Sequence, residues 1–247
     1  MADTTSQAEL PLIAQALPRD QPYEIAALSL AELEGDQSDR AAFWLTPEEH
    51  RLYNRFGSGK RQAEWLGGRM AAKLAVARLL GRPLPAVRQK VAVLARPDGK
   101  PLVRTALGTG VELSLSHSGG LAAAIASFFP CGLDVQALTT TVLRVQDRFS
   151  DHAERTLLAR LLPGQPAVQL TLLWAAKEAL RKAISGIPLA AWSELQLTDG
   201  SVAGTGQAVL SFTFARRPAA GPFLAAVFLR GGFAWAFTGH LPEKETC

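Results

Sequence analysis

Between Gln169 and Ser185, apolar residues recur at helical spacing, at Leu170, Leu173, Ala176, Leu180, Ala183 and Ile184. That spacing commits the segment to an amphipathic helix, whose apolar stripe needs a second layer of structure to cover it. Gly186 and Pro188 stop the helix. A second long helix is expected from about Gly59 to Leu80, with Trp65, Leu66, Met70, Leu74 and Ala77 or Arg78 along one face, and with Gly81 and Pro83 as its terminator. The two ends read alike, RLLGRPL at 78–84 and AISGIPL at 183–189, and strand-like sequence follows each. The likeness points to two similar halves, although a Gly followed by Pro is also a common helix stop.

The rest of the chain alternates strands with shorter helices. Strand character begins near Tyr23, and Thr46 can cap a helix that opens on Pro47, Glu48 and Glu49 and ends around Arg55–Gly57. Val87–Leu94 reads as a strand followed by a turn at Arg96–Pro101, with further strands at Val111–Ser116, Leu121–Phe129 and Leu133–Gln136. Ser150 or Asp151 can cap HAERTLLARLL, which Pro163 and Gly164 close. Runs at Glu194–Thr198, Ala208–Ala215, Phe223–Leu229 and Phe233–Gly239 predict an antiparallel meander. The class is α+β, organised as a flexible lead-in over 1–20, an N-terminal half over 21–130 and a C-terminal half over 131–247.

Composition narrows the function. With 247 residues, 48% of them hydrophobic and 19% charged, the chain is globular and large enough for a sizeable core without disulfides. Leu121–Phe129 is too short to span a bilayer, Arg230 interrupts the later apolar run, and MADTTSQAEL lacks the features of a signal peptide. A cytoplasmic protein is expected. Cys131 and Cys247 form no zinc or redox spacing. The net charge of +4 suits an anionic ligand or an acidic partner protein. The basic residues are scattered and not interleaved with aromatics, so no nucleic acid is expected as a partner.

Several side chains could carry chemistry. Asp134 and Gln136 lie two apart on a strand and project from one face, and Asp134, beside a long apolar run, should meet a cation or hydrogen-bond donors, with a turn aspartate that caps backbone amides as an equal reading. Trp174, Glu178 and Arg181 or Lys182 share a helical stripe, in which a Glu178–Lys182 pair on a solvated face is the plain reading. His117 stands between Ser116 and Ser118, but strand neighbours face opposite ways and there is no G-x-S-x-G elbow, so hydrolase chemistry is rejected in favour of anion binding. Neither Lys60 nor Lys100 completes a P-loop. Lys60, Arg61, Arg69 and Lys73 read as a solvated helix face.

Taken together, GKP at 99–101, SLSHS at 114–118, GLDVQ at 132–136 and WAAKEALRK at 174–182 resemble, in order and spacing, the 4'-phosphopantetheinyl transferases of the Sfp type. KRQAEWLGGRMAAKLAV at 60–76 resembles the helix that precedes these motifs, so the similarity covers roughly residues 46–190. The resemblance implies a fold of two pseudo-symmetric α+β halves in one chain meeting near Pro130, coenzyme A bound between them, and a monomer. It implies transfer of the 4'-phosphopantetheine arm of coenzyme A to a serine of an acyl or peptidyl carrier protein, with release of adenosine 3',5'-bisphosphate.

The implied roles fall on named residues. Asp134 and Glu178 would hold Mg²⁺, with Gln136 as a further oxygen donor. Glu178 would also orient or deprotonate the carrier serine, Lys182 and Lys177 would serve as phosphate and catalytic lysines, and His117 would contact the diphosphate. Lys100, Arg61 and Arg69 match positions at the 3'-phosphate and nucleotide end of coenzyme A, where Ser116 and Gly99 would shape the pocket. Gln136 stands where the family usually has glutamate, which implies weaker or altered metal binding, and Ser114 stands where asparagine is frequent. The alternative implied by Gln136 is a degenerate homologue that binds coenzyme A or a carrier protein without turnover.

Overall fold

A computed structural model describes residues 10–13, 15–18, 21–33, 37–57, 59–107, 110–184, 191–215 and 222–239. The chain divides into two compact units, one built on Asp20–Cys131 and the other on Gly132–Cys247 together with Gln7–Arg19. The lead-in is thus not simply a loose tail. α1 (Leu10–Ile13) lies in it, Leu12, Ile13, Ala16 and Leu17 are buried, and Ala16 O accepts from Gly239 N at 2.9 Å, because these apolar residues complete the second unit.

In the first unit, β1 (Tyr23–Ser29), β4 (Glu112–Ser118) and β5 (Leu121–Ser127) form an antiparallel sheet in the order β1-β5-β4. A separate hairpin joins β2 (Val91–Ala95) to β3 (Pro101–Thr105). Residues 87–90 belong to a short helix and turn before β2, and β3 was not expected from sequence. The sheet is covered by α4 (Gly59–Leu79), with α2 (Gln37–Trp44), α3 (Pro47–Tyr53) and α5 (Leu84–Val87) around it. Leu66, Met70, Ala71 and Val76 of α4 are buried, each larger apolar side chain contributing roughly 1.5–3 kcal/mol. Gly67 permits the close approach, since a Cβ there would lie 2.3 Å from Leu30 Cδ2.

In the second unit, α6 (Val142–Val145) and α7 (His152–Leu161) lead into the long α8 (Pro166–Ala183). A five-stranded antiparallel sheet has the order β6-β10-β9-β8-β7, where β6 is Gly132–Ala137, β7 Leu195–Gly204, β8 Gln207–Phe214, β9 Phe223–Arg230 and β10 Phe233–Thr238. This is the expected meander, with β6 added at its β10 edge. α8 packs on β6, β9 and β10 through Leu172, Ala176, Ala179 and Leu180, all buried. The expected α8 terminator at Gly186 and Pro188 lies outside the described residues.

The likeness of the halves is carried by buried charge. In the first unit, Thr46 and Glu49 form a reciprocal capping box at the start of α3, and Glu49 Oε1 accepts from Val93 N at 2.9 Å. Lys73 Nζ donates to Glu49 Oε2 at 2.6 Å, Trp44 O at 2.7 Å and Arg88 O at 2.5 Å. The second unit repeats this element by element. Asp151 and Glu154 cap α7, Glu154 Oε1 accepts from Leu197 N at 2.8 Å, and Lys177 Nζ reaches Glu154 Oε1 at 2.7 Å, Phe149 O at 2.6 Å and Trp192 O at 3.3 Å. Near the end of each long helix a cation then meets the adjacent strand: Arg78 Nη1 donates to Ile25 O at 2.8 Å, and Lys182 Nζ to Leu133 O at 3.0 Å. Lys73 is therefore buried, not on a solvated face, because Glu49 and two carbonyls replace its water.

Candidate functional site

Asp134 and Glu178 come from β6 and α8 of the second unit, and one glycine lets these elements lie close together. A Cβ on Gly132 would sit 1.9 Å from Ala179 O, so only glycine allows β6 to run against the α8 backbone beside Glu178. Asp134 is 2% exposed and meets the cation its burial demands: Lys182 Nζ lies 2.7 Å from Oδ1. Lys182 stands one helical turn beyond Glu178, so this contact brings Asp134 to the same end of α8. Gln136, on the same strand face, donates through Nε2 to Asp134 Oδ2 at 2.9 Å.

Glu178 is held differently from the sequence expectation. Its partner is not Lys182, which reaches across to the strand, but Arg181, whose Nε and Nη2 donate to Oε1 at 3.1 Å and Oε2 at 2.7 Å. Trp192 Nε1 adds a third donor to Oε1 at 2.6 Å, and its ring packs on Trp174 with centroids 4.5 Å apart. Arg181, as the i,i+3 partner, and Trp192 were not assigned roles from sequence. The alternative Arg181 or Lys182 in the helical stripe was the available signal for the first, and nothing local marked the second.

Lys177, expected as a phosphate or catalytic lysine, lies in the interior of the second unit. Its side chain is 1% exposed and its ammonium is spent on Glu154, Phe149 O and Trp192 O. Burial lowers its pKa, and Glu154 opposes that effect. By geometry it is a positioning residue: it ties α8 to the loops that carry Phe149 and Trp192, and so fixes the helix on which Glu178 stands. Glu154 and the equivalent Glu49–Lys73 pair were also missed. Their signal was a lysine flanked by apolar residues at helical spacing, Met70 and Val76 around Lys73, Leu173 and Leu180 around Lys177.

In the first unit a cavity of about 280 Å³ is lined by Arg61, Arg69, Ser116 and His117, together with Trp65 and Glu64. Arg69 stacks its guanidinium 3.9 Å from the Trp65 ring centre, and its Nε is buried with no hydrogen-bond partner among the described residues. Burial lowers its pKa to about 10, with Glu49 opposing. Arg61 lies 5.2 Å from the Phe56 ring centre, while His117 is exposed with Nε2 3.8 Å from Glu64 Oε2. Lys100 stands elsewhere in this unit, on the β2–β3 turn where Gly99 has φ +84°, and its backbone N donates to Asp98 Oδ1 at 3.0 Å. Burial lowers the Lys100 pKa, against the pull of Asp98 and Glu112. The structure thus groups four of the expected ligand contacts in one cavity, and Asp134, Gln136, Glu178 and Lys182 around one end of α8.

Asp134, Glu178 and the Gln136 amide carbonyl are oxygen donors of the type a hard divalent ion takes, and side-chain cations already neutralise both carboxylates there. Among the described residues, no group of three or more His, Cys, Asp or Glu is placed to hold a metal. A metal shell here would therefore draw on the amide and on non-protein oxygens besides the two carboxylates.

No curated protein matches the chain. Among solved structures it is similar to a holo-(acyl-carrier-protein) synthase from Bacillus anthracis in complex with CoA (3',5'-ADP), at 28% identity and a TM-score of 0.39, covering 42% of this chain and 92% of that one. It is similar also to the holo-[acyl-carrier-protein] synthase of Thermotoga maritima, at 26% identity and a TM-score of 0.36, over 52% of this chain and 74% of that one. Residues 48–127 match the 4'-phosphopantetheinyl transferase N-terminal domain and residues 130–237 match the 4'-phosphopantetheinyl transferase superfamily. With adjoining matches in both units, the chain belongs to the 4'-phosphopantetheinyl transferase superfamily.

Proposed function

We propose that this protein transfers the 4'-phosphopantetheine arm of coenzyme A to a serine hydroxyl of an acyl or peptidyl carrier protein, with Mg²⁺ as cofactor and adenosine 3',5'-bisphosphate as the other product. The observation that carries the reading is the gathering of Asp134, Glu178 and Lys182 at one end of α8, in a chain of this superfamily.

The serine oxygen must attack the β-phosphorus in line with the departing phosphate, while negative charge on both is neutralised. Mg²⁺, when bound through Asp134, Glu178 and Gln136, supplies that neutralisation as a Lewis acid. Glu178 accepts the serine proton or orients the hydroxyl, and Trp192 Nε1 holds its carboxylate in place. Lys182, already 2.7 Å from Asp134, offers the ammonium that pairs with a phosphate oxygen as charge shifts to the leaving group. At the nucleotide end, Arg69, Arg61, Ser116 and His117 line the first-unit cavity and would offer donors to an anion, with Lys100 as a further cationic contact. Burial lowers the Lys100 pKa, and an arriving phosphate would raise it again.

A second reading, a homologue that binds coenzyme A or a carrier protein without turnover, has one observation in its favour: Gln136 supplies a donor to Asp134 instead of a third carboxylate. Mass spectrometry separates the two. An apo carrier protein incubated with the protein, coenzyme A and Mg²⁺ gains the mass of one phosphopantetheine, and the gain disappears in Glu178→Ala and without metal. Coenzyme A binding with no gain on any of several fatty-acid and peptide carriers overturns the transferase reading in favour of the binder.

A further inference from the structure

Glu178 accepts three hydrogen bonds within its own unit. Arg181 grips both carboxylate oxygens as a fork, at 3.1 and 2.7 Å, and Trp192 Nε1 completes the set at 2.6 Å. The Arg181 side chain is 20% exposed and that of Glu178 10%, so bulk water screens the pair only partly. The fork also has a way out, because its partly exposed end can turn to solvent while the Trp192 indole, stacked on Trp174, stays in place. A divalent ion that binds Glu178 shares a carboxylate with this guanidinium, which, left in place, would stand in the first neighbourhood of the ion and repel it.

We propose that Arg181 is a resident counter-cation of Glu178 that a divalent ion has to displace, which makes it the residue that sets the metal affinity of this chain and couples metal loading to a diphosphate ligand. The inference rests on the proposed function in taking Glu178 as a metal ligand. Without a diphosphate, a displaced Arg181 loses a bidentate partner and gains only water. With a diphosphate, the planar fork finds a second anion of matching geometry, so metal and diphosphate bind more tightly together than either does alone. Lys182 is not the counter-cation of Glu178, since its ammonium reaches across to Asp134 Oδ1 and Leu133 O. The neighbouring lysine and arginine thus divide the two carboxylates between them, one each.

The test is Mn²⁺ binding to the full chain, followed by titration calorimetry and by the loss of the free-ion paramagnetic resonance signal, with no carrier protein present. Arg181→Gln should bind Mn²⁺ alone about tenfold more tightly than the wild type, with Arg181→Lys in between, a factor equivalent to about 1.4 kcal/mol. Coenzyme A, which brings a diphosphate, should raise the Mn²⁺ affinity of the wild type more than that of Arg181→Gln, whereas adenosine 3',5'-bisphosphate, which lacks one, should not. Equal Mn²⁺ affinities in the wild type and Arg181→Gln, with Glu178→Gln abolishing binding in both, overturn the role of Arg181 and leave the metal-site reading standing. Binding that is indifferent to Glu178→Gln in either background overturns both. If Arg181→Gln does not fold, as judged by circular dichroism, the comparison of the wild type with Arg181→Lys carries the same two outcomes.

Discussion

Lys177→Ala separates a structural lysine from a chemical one. The substitution removes the ammonium that sits 2.7 Å from Glu154 Oε1 and 2.6 Å from Phe149 O. Glu154, whose side chain is 5% exposed, would keep the backbone donors Asp151 N at 3.1 Å and Leu197 N at 2.8 Å but lose its only ion-pair partner among the described residues. Removing one member of a buried pair costs about 3–5 kcal/mol, a large share of the roughly 5–15 kcal/mol that holds a domain folded. Urea unfolding followed by circular dichroism should show a loss of that size, and Lys73→Ala should show a similar one, because Lys73 makes the same three kinds of contact in the first unit. The double variant Glu154→Gln with Lys177→Met should recover much of the loss, since neither charge is then left unpaired. If Lys177→Ala unfolds within about 0.5 kcal/mol of the wild type while phosphopantetheine transfer collapses, the positioning role is wrong and the lysine acts in the chemistry.

Three further outcomes follow from the same contacts. Gly132→Ala forces a Cβ to 1.9 Å from Ala179 O, so β6 must lift from α8; thermal unfolding should show a loss of about 1–3 kcal/mol or more, accompanied by loss of transfer. Gln136→Glu exchanges the 2.9 Å amide donor on Asp134 for a second carboxylate on the same strand face, so the metal-free protein should melt lower and Mg²⁺ should raise the melting point more than in the wild type. Burial pushes the Cys131 thiol up from 9.0 to about 12, with Ser127 opposing, so it should resist alkylation at pH 8 until the chain is unfolded. Because the folded pKa lies above the unfolded one, the unfolded chain loses this proton first. The stability from this group is complete below pH 9 and falls by about 1.4 kcal/mol per unit from there toward 12, a slope that Cys131→Ala should remove.

The sequence was most informative where a local rule acts alone. The Thr46 and Asp151 caps, the span of α4, the body of α8 and the four-strand meander follow from side-chain oxygens near free amides and from apolar periodicity, whereas α8 opens at Pro166, three residues before the expected Gln169. The sheet order was not legible, since β6 joins the meander at β10 through contacts distant in sequence. β2 and β3 were obscured for a similar reason: Val87 was read as strand and lies in α5, while Pro101–Thr105 alternates half-buried and exposed residues and pairs only with β2. At the site, spacing put Asp134 with Gln136 and Glu178 with a cation, but it could not choose between Arg181 and Lys182, because the deciding partner, Asp134, arrives from another element. Lys73 was read as exposed because charge usually means exposure, and the acids that bury Lys73 and Lys177 stand 24 and 23 residues away.

The matched Glu–Lys pairs make each long helix a frame with fixed rotation, on which the next positions are interchangeable fittings. Counting from the buried lysine, the first unit carries Leu74 where the second carries Glu178, Ala77 where it carries Arg181, and Arg78 where it carries Lys182. The first unit is therefore a natural blank within the same polypeptide, with the architecture kept and the acid left off. There Ala77 is buried, Leu74 packs against the core and Arg78 ties α4 to Ile25 O, so the positions that carry polar groups in the second unit serve the interior in the first.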